Sequence, residues 1–473
     1  MIYFIVISSY MVFILSVGFL SRRNLKKPED FYLGGRKVGP WVTALSFLSA
    51  YFSSVLIIGG GAFGYKYGLS TLWIGATNVL LGCCLLWIVL GERTRKMTKK
   101  LNTMTIPDFL AERFNSPEAR LFSAIIIILF MFAYNVSILK GMGHILEVLL
   151  NLPYIWGIIL SCAAMLVYVS LGGYLAVVWT GFIQAIIMIW GLLLLTFATL
   201  NRVEGLSNLT LKLSEIDVGL VESPGIWGLG GLLSYALIVS FGAWGMPQLI
   251  IRFYSIKSTK VLKLGTIAAT VGGTIALLPY LNGAASRLLF PNLTNVDLAI
   301  PSLVKSVLSP WGGALFVSAV LAAGMSTFAA VLIITSSSLV RDILEKSLKI
   351  NLNNKKTILY NSLSSFVIGI ISLLLTIKPP GLVLTLTAFS WAVIASTCLW
   401  PILLGLYWKR TTREGVIASM VGGCSASLFW MYLGSPYKIH GFIPGILIGL
   451  VLIIVVSLFT EPMKETDLER IFY

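Results

Sequence analysis

Ala44-Leu45-Ser46-Phe47-Leu48-Ser49-Ala50-Tyr51-Phe52-Ser53-Ser54, then after four apolar residues Gly59-Gly60-Gly61, fills most of an apolar block at 41–65. The block is long enough to cross a bilayer, which takes roughly 20 apolar residues. Its middle, however, is studded with hydroxyls and followed by helix breakers. Such a break survives at mid-membrane where the loosened backbone lines a cavity or faces protein. A second stretch, Ser240-Phe241-Gly242-Ala243-Trp244-Gly245-Met246-Pro247, interrupts the block at 227–251 in the same way. The two lie five blocks apart, as in an inverted repeat with its binding site at the membrane midplane. Either stretch alone could reflect glycines that let helices pack closely; the pairing favours two broken helices.

The blocks on either side extend this pattern along the whole chain. Of 473 residues, 57% are apolar and 11% charged, against about 45–50% and 25% in soluble domains. Cutting at the polar joints gives thirteen candidate spans, at about 2–20, 41–65, 70–91, 121–149, 154–171, 175–200, 227–251, 264–286, 310–340, 358–377, 380–407, 414–434 and 442–460. Pro153, Pro379-Pro380 and Pro436 fall in joints, where a missing backbone donor does no harm. The blocks at 121–149 and 310–340 exceed a bilayer's needs and must tilt, break or project. The joint at 201–226 has room for a short surface helix. This is an all-α polytopic membrane protein, read as one transmembrane unit over 1–473. The apolar 2–20 lacks a basic segment before it and reads as a span rather than a cleaved leader.

A net charge of +16 does not point to nucleic acid, because the basic residues flank apolar blocks instead of forming a stripe with aromatics between. They set orientation. With the N-terminus outside, 27 of the 35 Lys and Arg fall on the cytoplasmic side, a strong bias by the positive-inside rule. The C-terminus is then cytoplasmic, in the cell membrane. Cys83, Cys84, Cys162, Cys398 and Cys424 all lie in apolar blocks, odd in number and without CxxC spacing, so they read as small buried hydrophobes. His144 and His440 are too few for a transition-metal cluster.

The acidic residues sit almost entirely in joints and tails; within a span only Glu147 occurs, near the outer end. Proton-coupled carriers commonly use an intramembrane carboxylate or His, so proton coupling is disfavoured. Sodium can be held by neutral oxygens instead. Ala322-Ala323-Gly324-Met325-Ser326-Thr327 puts two hydroxyls three and four residues after Ala323, on one helix face. Such hydroxyls also commonly bond back to their own helix, and Ser336-Ser337-Ser338 follow lower down. Lys140, with His144 and Glu147 after it, either draws an anionic solute inward or snorkels outward and pairs with Glu147.

Phe31-Tyr32-Leu33-Gly34-Gly35-Arg36, Leu171-Gly172-Gly173-Tyr174-Leu175-Ala176-Val177-Val178-Trp179-Thr180 and Met325-Ser326-Thr327 before Ser337-Ser338 together resemble the sodium:solute symporter family. The likeness covers nearly the whole chain. It implies a five-plus-five inverted-repeat, LeuT-like core over 41–407, an extra first helix at 1–20, and extra C-terminal helices with a short tail over 414–473. It also implies Na+ as the coupling ion, with carbonyls of Ser49 and Phe52, the carbonyl of Ala323 and the hydroxyls of Ser326 and Thr327 as ligands. Some relatives hold a second sodium with an Asp and two Ser; Gly181, Ala329 and Ala330 stand there, implying one sodium per cycle. The implied solute pocket draws on Ser53, Ser54, Leu56, Tyr134, Asn135, Phe241, Trp244, Ser390 and Trp391. Gly64-Tyr65-Lys66-Tyr67-Gly68-Leu69, Lys378-Pro379-Pro380 and Leu399-Trp400-Pro401-Ile402-Leu403-Leu404-Gly405-Leu406-Tyr407-Trp408 resemble the pantothenate carriers of that family.

The expected activity is therefore sodium-driven import of a small organic solute, a carboxylate such as pantothenate, by alternating access. Alternatives are proline, another amino acid or a monocarboxylate as solute, or a nutrient sensor that binds without transporting. A channel would need a filter repeat or pore ring, and an enzyme a nucleophile with its base, a metal set or paired acids; neither pattern occurs. Partners are the solute and the bilayer, with no protein partner required.

Overall fold

A computed structural model describes residues 2–22, 27–379 and 381–472; the side chains of Ser21, Arg22, Tyr168, Ser170, Leu171 and Arg470 are also left aside. Arg23 and Lys26 of the first basic joint, and Pro380, lie outside the described residues. Among these residues eleven helical runs are long and apolar enough to cross a membrane. Two of the thirteen sequence blocks do not qualify by themselves, for a physical reason. The block at 41–65 is broken, and its second half joins the next block in the run Val55–Lys100, which turns at Gly68 (φ 73°, ψ −155°). The block at 154–171 yields a shorter apolar helix, Tyr154–Val167, which continues past a kink at Gly173 (φ 57°, ψ −156°) into the helical run ending at Arg202. That backbone conformation is open to glycine and strained for any other residue.

Both expected breaks are present. Pro40–Tyr51 is helical and ends at Phe52 (ψ 86°), after which a π-helical turn at Val55–Gly59 leads into Gly60–Tyr67. Gly228–Ser240 gives way to a short 3-10 turn at Gly242–Gly245 and extended Met246 (ψ 116°). Pro247 then starts a new helix to Ser255 at a first-turn position, where its missing N–H costs nothing. A surface helix does occur in the 201–226 joint, at Leu206–Ile216.

The Pro310–Ser337 helix is buried from Phe316 to Ser337 and forms the axis of the molecule, packed on Tyr154–Arg202, Pro117–Leu150, Pro40–Tyr51 and Ile2–Arg22. Its small residues Ala322, Ala323, Gly324, Ala329 and Ala330 let neighbours approach closely, as membrane helices require without a hydrophobic drive between them. Helices at the rim, such as Ile2–Arg22, turn many side chains outward: Phe4, Val12, Phe13 and Phe19 are exposed, as suits contact with lipid. The run through 310–347 carries its excess length beyond the apolar part, ending in a π-helical stretch at Ser338–Ser347.

His440 lies in the joint before Phe442–Phe459, with Nδ1 accepting the Phe442 N–H at 3.3 Å. Burial pushes its pKa down from 6.5 to about 4. The unfolded chain thus binds a proton that the folded chain refuses, so stability falls as pH drops from about 6.5 to about 4. The full difference is about 3 kcal/mol at roughly 1.4 kcal/mol per unit. Thermal melts of the wild type should lose more between pH 7 and pH 4.5 than those of His440→Gln; parallel pH profiles would refute this.

Candidate ion and solute site

The two hydroxyls singled out on the axial helix do not bond only to their own backbone. Ser326 Oγ lies 2.9 Å from the Ala323 carbonyl and 2.6 Å from the Ser49 carbonyl across the interface. Thr327 Oγ1 lies 3.2 Å from the Ala323 carbonyl, 3.0 Å from that of Ser49 and 3.3 Å from that of Ala50. All of these groups are buried. Five uncharged oxygens from two helices therefore meet just before the first break, the donor type hard cations prefer. In this arrangement the hydroxyl protons point at the carbonyls, so a cation between them must replace those bonds. The contribution of Ala50 was missed in the sequence, because which carbonyls face a neighbour depends on how the helices are rotated. Phe52 sits at the break itself. Its N–H bonds to the Leu48 carbonyl at 2.7 Å, while Leu56 and Ile57 both donate to Ser53, at 3.0 and 3.4 Å, which leaves the Phe52 carbonyl out of the helical ladder.

Ser336 and Ser337 bond back to the Ile333 carbonyl at 3.1 and 2.6 Å and belong to the helix alone. Gly181 brings its helix directly against Ser49, with an ideal Cβ position 2.8 Å from Ser49 Oγ. A side chain there would collide with the residue that supplies the central carbonyl.

Next to the oxygens, the break opens into a cavity of about 30 Å³, room for about one water molecule. Ser53, Leu56, Tyr134 and Trp391 line it, four of the nine residues expected there. Tyr51 stacks on Phe52 at 4.9 Å and on Trp391 at 5.9 Å between ring centroids, and Tyr134 meets Trp391 edge-on at 5.8 Å. Val55, Asn78, Val239, Tyr280, Leu384 and Thr387 complete the wall. Tyr51 Oη lies 2.6 Å from both Asn78 Oδ1 and the Val239 carbonyl, so it bridges the two broken helices directly and also reaches the third block.

The other five expected pocket residues are used elsewhere. Ser54 donates to the Ile138 carbonyl at 2.9 Å and Ser390 to that of Phe130 at 2.6 Å. Asn135 reaches Ser372 at 3.4 Å, and the Trp244 indole donates to the Leu81 carbonyl at 3.0 Å. Phe241 packs on Trp244 and Trp400, with centroids 5.1 and 5.9 Å apart. Each sits on a broken helix or on one packed beside it, but on the face turned into the helix bundle.

Lys140 corrects a second expectation. It neither snorkels nor pairs with Glu147, which instead meets His144 Nδ1 at 3.0 Å. Its Nζ lies 2.8 Å from Asp297 Oδ2 and 2.8 Å from the Gly381 carbonyl. At the other end of the bundle Asp108 accepts from Arg120 at 3.3 Å, from Arg341 at 2.9 Å and from the Met104 N–H at 3.0 Å. Thr105 there donates to Asp342 at 2.8 Å.

The family model for the sodium:solute symporter family matches residues 31–423. The chain belongs to that family. Family membership makes it a transporter, and a helical protein embedded in a membrane. A sodium/pantothenate symporter of Haemophilus influenzae is 28% identical over 461 residues, covering 94% of each chain. The osmoregulated proline transporter of Bacillus subtilis is 29% identical over 471 residues, covering 97% of this chain and 95% of its own. Among solved structures, a Na+-coupled sialic acid symporter in a substrate-bound outward-open state aligns with TM-score 0.82 at 18% identity, over 98% and 99% of the two chains. Mhp1, a nucleobase-cation-symport-1 family transporter, aligns at TM-score 0.62 and 15% identity, over 94% and 99% of the two chains. At such identities these neighbours speak for the LeuT-like fold, and the solute has to be argued from the site.

Proposed function

We propose that this chain is a symporter of the cell membrane that imports a small carboxylate with one sodium ion per cycle, pantothenate and proline being the leading solutes. The observation that carries this reading is the contact of Ser326 and Thr327 with the Ser49 carbonyl, 2.6 and 3.0 Å, beside a cavity walled by the residues that follow on the same helix. Sodium bound by the Ser49, Phe52 and Ala323 carbonyls and the two hydroxyls, with Ala50 beside them, holds the broken helix on the axial helix. That ordering sets Tyr51, Phe52 and Ser53 in the cavity wall, so each ligand raises the other's affinity by the same factor. Gly181, Ala329 and Ala330 offer no side-chain ligands for a second ion. In this reading the broken and the kinked runs count separately, as thirteen crossings in a five-plus-five repeat, and the positive-inside bias puts the N-terminus outside and the C-terminus inside.

The carboxylate is the group that pantothenate and proline share. The Tyr134 hydroxyl and the Trp391 indole line the cavity and supply donors for it without a basic side chain. Trp391→Ala removes the stacking on Tyr51 and the edge contact with Tyr134, and should raise the solute KM by roughly tenfold. An unchanged KM would take Trp391 out of the pocket.

Purified protein in liposomes should accumulate radiolabelled pantothenate or proline in sodium buffer and not in choline or potassium buffer. Equal uptake in all three would overturn the reading, and binding without counterflow would make the chain a sensor. Charge separates the two solutes. One sodium with a monoanion moves no net charge, whereas one with zwitterionic proline moves a single charge worth about 2.3 kcal/mol per 100 mV. An imposed inside-negative potential should therefore speed proline uptake and leave pantothenate uptake unchanged.

A further inference from the structure

The Lys140–Asp297 pair lies outside the ion and solute contacts and joins three pieces of chain, two of which contribute to the cavity wall. Lys140 is on Pro117–Leu150. Asp297 is in the turn just before the Ala299–Val307 helix, and is fully buried. The third piece is the start of Val383–Tyr407: Lys140 holds the Gly381 carbonyl at 2.8 Å, and the Val383 N–H reaches Asp297 Oδ2 at 3.4 Å. Asp297 Oδ1 has no hydrogen-bond partner.

A buried ion pair is weak evidence for stability, since desolvation offsets most of the attraction, but breaking one partner leaves a charge that must find water. Such a pair suits a contact made and broken in a cycle. Its position fits that use. Leu384, the residue after Val383, lies against Gly59 just beyond the break, its backbone N 2.9 Å from where a Cβ would stand, and Ile300 lies against Gly61. Leu384 and Thr387 are themselves cavity wall. Holding Asp297 and Gly381 together thus presses the first turn of Val383–Tyr407 and the Ala299–Val307 helix onto the second half of the broken helix.

We propose that Lys140 and Asp297 are positioning residues that lock this wall shut, and that the pair parts when the cavity opens to the side opposite Asp108. That this side is the outside rests on the orientation given under Proposed function; the lock itself does not depend on which solute is carried. The test reads accessibility rather than transport. Thr387→Cys is introduced into the full chain in sealed right-side-out vesicles and labelled from outside with a charged methanethiosulfonate. Cys398, fully buried on the same helix, serves as the control for intact packing.

With the pair intact, labelling should be slow. Lys140→Met and Asp297→Asn should each speed it by about tenfold as the open population grows. The exchanged pair Lys140→Asp/Asp297→Lys should restore slow labelling. Because a single variant strands one charge and can fail to fold, the doubly neutral Lys140→Gln/Asp297→Asn is the decisive background, and it should label as fast as the singles. Labelling at the parent rate in the double variant, or reaction of Cys398 together with the introduced thiol, would overturn the proposal and leave the pair a packing element. Loss of sodium-dependent uptake in the wild type would overturn the transport reading without touching this result.

Discussion

Ser326→Ala/Thr327→Ala is expected to raise the sodium concentration for half-maximal uptake by about a hundredfold, and Ser326→Ala alone by about tenfold. Each hydroxyl offers the cation a lone pair in a water-free site, and hydrogen-bond-strength contacts to a charge contribute about 1.5–3 kcal/mol. Removing one costs at least the lower end of that range, or about tenfold at 1.4 kcal/mol per decade. A hundredfold is the additive figure and marks the upper bound, because both hydroxyls touch the same Ser49 carbonyl, at 2.6 and 3.0 Å, and neighbouring effects couple. Solute affinity at saturating sodium should change little, since neither side chain lines the cavity. That split is the informative part. A loss of solute affinity that excess sodium cannot restore would mean the hydroxyls hold the helices together rather than the ion. Unchanged sodium dependence would remove the site assignment.

Gly64→Leu is expected to be the most damaging single change among those considered. Beyond the break, Gly60–Tyr67 packs against Leu278–Leu289 at backbone distance, and an added Cβ at Gly64 would stand 2.1 Å from the Tyr280 carbonyl oxygen and 3.0 Å from the Ala284 nitrogen. Backbone cannot turn aside as a flexible side chain can, so the cost sits at the upper end for overpacking, about 3 kcal/mol. It also reaches the site, because Tyr280 is part of the cavity wall. Folded yield and melting temperature should drop sharply, with solute binding lost in whatever folds. Gly39→Ala, where nothing lies within 4 Å, should cost less than about 1 kcal/mol as a change of capping residue. Equal melting temperatures for the two variants would show that the helices can separate freely there.

The breaks were legible because helix-breaking composition in an apolar block is a local property. Gly242, Gly245 and Pro247 interrupt hydrogen bonding wherever the segment lies, and the structure kinks there. The Ser326–Thr327 pair was legible as a shared helix face for the same reason, since side chains three and four residues apart project together. The resemblance then supplied the facing strip at Ser49, which no spacing within one helix could reveal. Membership of a helix at or beside the breaks did not say which side chains line this cavity. Ser54, Asn135 and Ser390 lie on such helices but bond to their neighbours, whereas Tyr51, in the same block as Ser54, and Thr387, one turn before Ser390, reach the wall.

Lys140 makes the same point about charge. Read along its own helix it had one acid within reach, Glu147; in space its partner is 157 residues away. What the amino-acid order determined by itself was the solvent each segment prefers and where a helix must stop, because hydropathy, glycine and proline act over a few neighbours. What only the tertiary structure decided was which carbonyl meets which hydroxyl, which rings close the cavity and which acid answers a buried lysine. Those outcomes depend on the rotation and depth of one helix against another, and many residues far apart in the chain set that rotation jointly.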